Sequence, residues 1–215
     1  ALNFIKDSTG NMVLAILLLT ILIKLLLFPF ANKSFRSMAK MKNIQPKIKR
    51  LQDLYASDKQ RLGLEMIELY KREKVNPLSG IFFSLLQFPI LFALYKVLMI
   101  TVSLRHAKFL WVKDLSEADT CYIFNLFGLL HFDLPSILQV GIWPIFMGIS
   151  MFIQQKMTPQ VGVDKSQEKM FLLMPLMFVF MMSGLPAGLI IYWTFSNILS
   201  MIQQYYINKN TSLKK

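Results

Sequence analysis

Five long apolar runs separated by polar, lysine-rich stretches leave this chain little to fold against except a lipid bilayer. A membrane-spanning helix needs roughly 17–25 predominantly apolar residues. Residues 12–30, 80–101, 137–155 and 187–205 meet that length, and 170–183 falls short of it. The Gly and Pro of "SGLPAG" (183–188) predict a tight turn, so the last two runs read as a helical hairpin. A short span sits where the bilayer is thin or thins it locally. The chain is 54% hydrophobic and 17% charged, against about 25% charged in soluble domains.

The longest polar stretch, 31–77, holds 12 Lys/Arg and five acids. Apolar residues recur in it at helical spacing: Met41, Ile44, Ile48 and Leu51, then Leu62, Met66 and Leu69. A break at "YASD" (55–58) offers Ser57 or Asp58 as a helix cap, and "VNPLSG" (75–80) ends the segment. This predicts two antiparallel amphipathic helices.

Charge asymmetry orients the whole. With 31–77 in the cytoplasm, 156–169 and the tail fall inside too. Of the 24 Lys/Arg, 18 are then inside and four outside, with Lys24 and Lys96 within spans. The expected topology is N-terminus out, C-terminus in. An outside N-terminus and a chain starting at Ala1 without Met imply a preceding segment. The net charge of +12 reads as loops held near anionic lipid, not as a specific nucleic-acid surface. The outer segment, 102–136, contains "KFLWVKDLSEADTCYIFNLFGLLHF" (108–132), too short to span comfortably. Trp111 and Tyr122 suit a membrane interface, so it reads as an interfacial element.

Within "LLLTILIKLLLFPF" (17–30) stands Lys24. A charge at the centre of a spanning helix costs about 2.5–3.5 kcal/mol on insertion scales. Lys24 lies six residues from the cytoplasmic end, about 9 Å deep, with Thr20 one turn deeper on the same face. Ser84 and Gln87 share a face near the cytoplasmic start of the second span. Ser150 and Gln154 share one near the end of the third. Trp193, Ser196, Asn197, Ser200, Gln203 and Gln204 form a stripe on the fifth. Taken singly, Lys24 is a snorkelling lysine and the other groups are helix–helix glue. Four helices agreeing on depth predict instead a wet, positively charged groove, open to the cytoplasm and closed outside. A through-pore needs polar groups at every depth. Met170, Met174, Met177 and Met181 line one face of the fourth span, either as packing or as an adaptable sliding surface.

Catalytic chemistry finds no support. One cysteine, Cys121, excludes an intramolecular disulfide and a cysteine metal site. His106 and His131 are isolated, no metalloprotease, hydrolase or phosphate-loop motif occurs, and no acid lies within a span. No cofactor or metal is expected.

Several collinear segments resemble the YidC/Oxa membrane protein insertases: "SMAKMKNIQPKIKRLQ" (37–52), "DKQRLGLEMIELYKREKVNPLSG" (58–80), "LQFPILFALY" (86–95), "FLWVKDLS" (109–116), "QQKMTP" (154–159), "MPLMFVFMMSGLPAGLIIYWTFSN" (174–197) and "IQQYYI" (202–207). The resemblance is to the bacterial branch, whose fuller members carry a further N-terminal helix and a large periplasmic domain. It implies an all-α integral membrane protein of the bacterial inner membrane. Five spanning helices, a cytoplasmic helical hairpin and a polar groove open to the cytoplasm are expected. The family's essential positive charge falls on Lys24, where Arg is commoner. Lys keeps the charge without the planar fork. Thr20, Gln87, Tyr192, Trp193 and Ser196 fall on groove or client-contact positions, beside Ser84, Ser150 and Asn197 from the depth pattern.

The resulting expectation is a non-enzymatic insertase. A nascent membrane protein, delivered by a ribosome or targeting factor, passes its polar N-terminal region into the groove. Its apolar segment slides past Met147, Met151, Tyr192 and Trp193 into lipid, alone or with the Sec translocon. The membrane potential, worth about 2.3 kcal/mol per charge per 100 mV, aids release. The competing expectations are a small-anion transporter centred on Lys24 and a structural scaffold for the Sec translocon.

Overall fold

The computed structural model describes residues 2–100, 107–125, 135, 138–158 and 165–212; side chains of a few helical residues, Ser84 among them, lie outside that description. Eight helices occur in the described residues: α1 Leu2–Thr9, α2 Met12–Leu26, α3 Phe28–Leu54, α4 Lys59–Arg72, α5 Ser79–Ile100, α6 Ile142–Met157, α7 Lys165–Met182 and α8 Ala187–Ser212. The all-helical class agrees with the apolar periodicity. Among the described residues no single helix is long and apolar enough to cross a membrane. The bent pair α2–α3, with 66° between its axes, passes by length and composition together.

Local chemistry explains where the helices begin and end. α1 is too short for its period to stand out in sequence. Gly10, at φ 66°, turns the chain between α1 and α2. Asn11 then caps α2, accepting from the backbone N–H of Val13 at 2.8 Å. The apolar run 12–30 is not one helix. Pro29 has no N–H to continue the ladder, so the run bends at Leu27 and its last residues open α3. α3 therefore continues without interruption from the apolar run into the basic segment. α6 starts at Ile142, because Gly141 is extended and serves as its N-cap.

α3 and α4 form the hairpin. Of the two candidate caps, Asp58 accepts from Arg61 N–H at 3.0 Å. Met41, Ile44, Ile48, Leu69 and Val75 bury a small core between the helices. Lys47 donates to Glu73 at 2.6 Å. That bond and the lysine's charge hold the Glu73 carboxyl below its ordinary pKa. A depressed carboxylate stabilises the fold above its unfolded pKa, near 4.3. That contribution is lost as pH falls through the lower folded value. Protection of the α4 amides, relative to their intrinsic exchange rates at each pH, is therefore expected to fall below about pH 4.3. Lys47→Ala should abolish that pH dependence, and high salt should weaken it.

The main core joins α2, α5, α6 and α8 through Met12, Val13, Ile16, Leu94, Trp143, Met147, Ile190 and Ile191. Residues 107–125 fold into a cap over one end of the bundle, with Val112, Leu115 and Asp119 buried. Trp111 stacks on Trp143 with ring centroids 5.6 Å apart. Its indole N–H is donated to Asp119 at 3.1 Å. The Asp119 carboxylate also accepts from the backbone N–H of Cys121 at 3.0 Å and of Trp143 at 2.9 Å. It thus caps α6 from across the chain, where the helix dipole favours an anion. The cap also supplies the carbonyls of Glu117 and Leu115 to the first N–H groups of α8, Ala187 and Gly188, at 2.7 and 2.9 Å. At Gly148, α6 comes so close to Val179 of α7 that a Cβ would collide with it.

Candidate functional site

α8 is the helix on which the polar side chains meet. Its hydrogen-bonding residues recur at i, i+4 and i+8, so they share one face. From α2, Lys24 donates through Nζ to Ser200 Oγ at 2.7 Å. From α5, Gln87 donates to Ser196 Oγ at 2.9 Å and to the Tyr192 hydroxyl at 3.3 Å. Asn197 donates to Ser150 of α6 at 3.1 Å. One turn further on, Gln204 donates to the Met157 carbonyl at 3.0 Å. Three neighbouring helices therefore reach the same face of α8 with polar groups. Between this lane and the cap lies the apolar core, so polar and apolar halves of the bundle are separated along its axis.

The other sequence candidates divide. Thr20 is buried and satisfies itself by donating to Ile16 O at 2.7 Å within its own helix. The side chain of Ser84 lies outside the described residues, as do His106 and His131. Met147 and Tyr192 are 0% and 2% exposed, inside the main core. Their positions on α6 and α8 face the packed centre, a direction that apolar character alone does not reveal. Trp193 and Met151 are half-buried, and Trp193 packs edge-on against Phe178 of α7 at 6.1 Å. The exposed apolar side chains lie elsewhere. Met170, Met177 and Met181 on α7 are 61–67% exposed, and Phe88 and Phe92 on α5 are exposed as well. α7 packs chiefly on α6, and α5 on α3 and α8, leaving α5 and α7 without substantial mutual contact.

Ser200 belongs to the sequence stripe, but nothing in the spacing singles it out as the partner of Lys24. Asp119 stands in the sequence as one of several acids of the outer segment, with no role assigned to it. A signal existed in the acid set between Trp111 and Tyr122, ahead of a lone glycine opening a helix.

The lane has one charge, Lys24, and otherwise neutral hydroxyls and carboxamides. Ser150, Ser196, Asn197 and Ser200 are buried and bonded to their neighbours, and the Lys24 charge beside them favours an anion. Among the described residues no cluster of three or more His, Cys, Asp or Glu could hold a metal ion. Burial and the negative Asp119 push the Cys121 thiol up in pKa, which makes it a poor nucleophile.

A family model described as "60Kd inner membrane protein" matches residues 4–215. The curated relatives include membrane protein insertase YidC of Rickettsia bellii (strain OSU 85-389), 54% identical over 210 residues. That match covers 97% of this chain and 37% of the relative. The same protein of Rickettsia conorii (strain ATCC VR-613 / Malish 7) gives the same figures. That of Rickettsia typhi (strain ATCC VR-144 / Wilmington) is 54% identical, with 97% of this chain and 38% of the relative covered. Among solved structures, a crystal structure of an active YidC insertase with its first transmembrane domain resolved superposes with a TM-score of 0.69 at 26% identity. It covers 95% of this chain and 44% of that one. The chain thus spans less than half the length of these relatives.

Proposed function

We propose that this chain, which belongs to the 60Kd inner membrane protein family of YidC insertases, is the membrane-embedded core of an insertase for nascent membrane proteins. The observation that carries the reading is the polar lane on α8, reached by Lys24, Gln87 and Ser150 from three other helices and closed at one end by the apolar core. In this reading the capped end faces the periplasm and the hairpin faces the cytoplasm. The bundle lies in the bacterial inner membrane with its last helix ending inside.

A client's polar N-terminal region enters the lane from the hairpin end, drawn by Lys24. It is then hydrated and paired deep in the bilayer, so the hydrocarbon it must still cross is thinner. The apolar segment leaves laterally. Met147 and Tyr192 are buried, so the slide is assigned to the exposed methionines of α7 and the exposed phenylalanines of α5. Methionine's flexible thioether suits clients of varied shape. Trp193 and Met151 border that path. The basic hairpin is assigned to anionic lipid, the ribosome and the Sec translocon. No covalent chemistry is involved.

The test is insertion by the full-length protein reconstituted in vesicles. A single-span client with an acidic N-terminal tail is synthesised in their presence and challenged with protease. The expected result is a protected tail fragment well above the level in empty vesicles. Insertion no better than in empty vesicles overturns the reading.

A further inference from the structure

Four buried side-chain atoms near the hairpin end of the lane have no hydrogen-bond partner among the described residues: Asn32 Oδ1 on α3, Gln155 Oε1 on α6, and Gln203 Nε2 and Gln204 Oε1 on α8. Gln204 is one turn beyond Ser200, the partner of Lys24, and its own Nε2 is tied to Met157, the last residue of α6. One turn further, Ile207 packs on Ala31 and Phe35 of α3, on either side of Asn32 in the sequence. Over these two turns α8 thus meets the end of α6 and the start of α3.

Burying an amide group without a partner costs about 1–3 kcal/mol, and such groups are few in native proteins. Gln204 is 1% exposed, yet half of its carboxamide is unused. The lane between Gln87 and Ser200, by contrast, is paired side chain to side chain. Leucine fits a helix at any of these four positions without that penalty. The unused groups are three acceptors and one donor, all neutral. A ligand presenting both N–H and C=O in alternation is an extended polypeptide backbone.

We infer that Asn32, Gln155, Gln203 and Gln204 form a binding site for the extended backbone of the client's polar N-terminal segment, at the entrance to the lane. This rests on the insertase reading. A segment threading the lane is extended, so its amides are not paired within the segment and require partners outside it. The carboxamides supply them without reading sequence, which suits clients of many kinds. Lys24 attracts the segment's acids, and the carboxamides hold its backbone.

The test uses the full-length protein in vesicles and the acidic-tailed client, comparing the parent with Gln155→Leu/Gln203→Leu, which leaves the Gln204–Met157 bond in place. Insertion is expected to slow at least tenfold while the thermal midpoint stays level or rises, because two unpaired buried amides are removed. Replacing tail residues by proline, which removes backbone N–H groups, should slow the parent and leave the variant little changed. A variant inserting at the parent's rate overturns the inference. So does one whose midpoint falls along with its rate, since the groups are then structural. If the variant does not accumulate, the unaltered protein is probed with a client carrying a photoreactive diazirine in its tail. Adducts at residues 155, 203 and 204 support the site, and adducts confined to lipid and other residues overturn it. A parent that inserts nothing sinks the insertase reading as well, and its own rate tells that failure from the specific one.

Discussion

Replacing Lys24 by glutamate is expected to abolish insertion of clients with acidic tails, in a strain depleted of its own insertase and in vesicles alike. At 4 Å and an effective dielectric of about 20, a unit charge pair is worth roughly 4 kcal/mol. Alanine forfeits that attraction, and glutamate turns it into repulsion. Expressed wholly in the barrier, 4 kcal/mol is about a thousandfold in rate. Water in the lane reduces the effect, so alanine should slow insertion by about 10- to 1000-fold. Arginine should work, because it keeps the charge and brings more donors. The fold is expected to survive, since Ser200 keeps its own bond to the Ser196 carbonyl at 2.9 Å. Each variant's accumulation in the membrane is the control. A client with an uncharged tail should be far less affected. If alanine inserts the acidic client as fast as the parent does, Lys24 is only a snorkelling lysine, and the electrostatic part of the mechanism falls. That outcome is also what a scaffold for the translocon would give.

The second large effect lies at the other end of the bundle. Asp119→Ala strips partners from the Trp111 indole and from the backbone N–H groups of Cys121 and Trp143. At about 1–3 kcal/mol per stranded donor the three span about 3–9 kcal/mol, and since the Trp111 and Cys121 donors are only part-buried the loss should lie in the lower half, on the order of 3–5 kcal/mol. For a chain of this size that lowers the thermal midpoint by roughly 10 °C. Asp119→Asn, which keeps one acceptor oxygen, should lose less. Gly141→Ala should fail in the same direction, because its Cβ would stand 2.6 Å from Asp119 Cβ and 2.8 Å from the Asp119 carbonyl oxygen. Thermal unfolding in detergent checks all three. An Asp119→Ala protein that melts within a couple of degrees of the parent would show the cap to be dispensable. The cap also anchors the first turn of α8, so a loosened cap should slow insertion even where the chain still folds.

The helices, the hairpin with its break before Asp58, and the turn at 183–188 were legible because each rests on local chemistry. Apolar period, a capping carboxylate and a Gly-Pro turn act within a few residues. The bend at Leu27 was legible in principle, since Pro29 sits in plain view, but the unbroken apolar run hid it. The lane was legible only as depth. Counting residues from a helix end gives height in a bilayer to within a turn, and it brought Lys24, Gln87, Ser150 and the α8 stripe to a common level.

The direction in which each side chain points was not legible. Met147 and Tyr192 look as suited to a client surface as Met177, yet two are core and one is exposed. In water, burial sorts apolar from polar residues. Where both the interior and the surroundings are apolar, hydropathy no longer tells the packed face of a helix from the lipid face. The Asp119 cap shows the same limit for polar groups, since its donors come from Trp111, Cys121 and Trp143 and only the closed fold brings them together. The sequence by itself therefore determined the helical class, the charge set within an apolar run and the family. The tertiary structure alone decided which hydroxyl meets Lys24, which methionines face outward and how the far end is closed. Helix identity is a local balance of hydrogen bonds and apolar period. Facing and pairing depend on which distant helix arrives alongside.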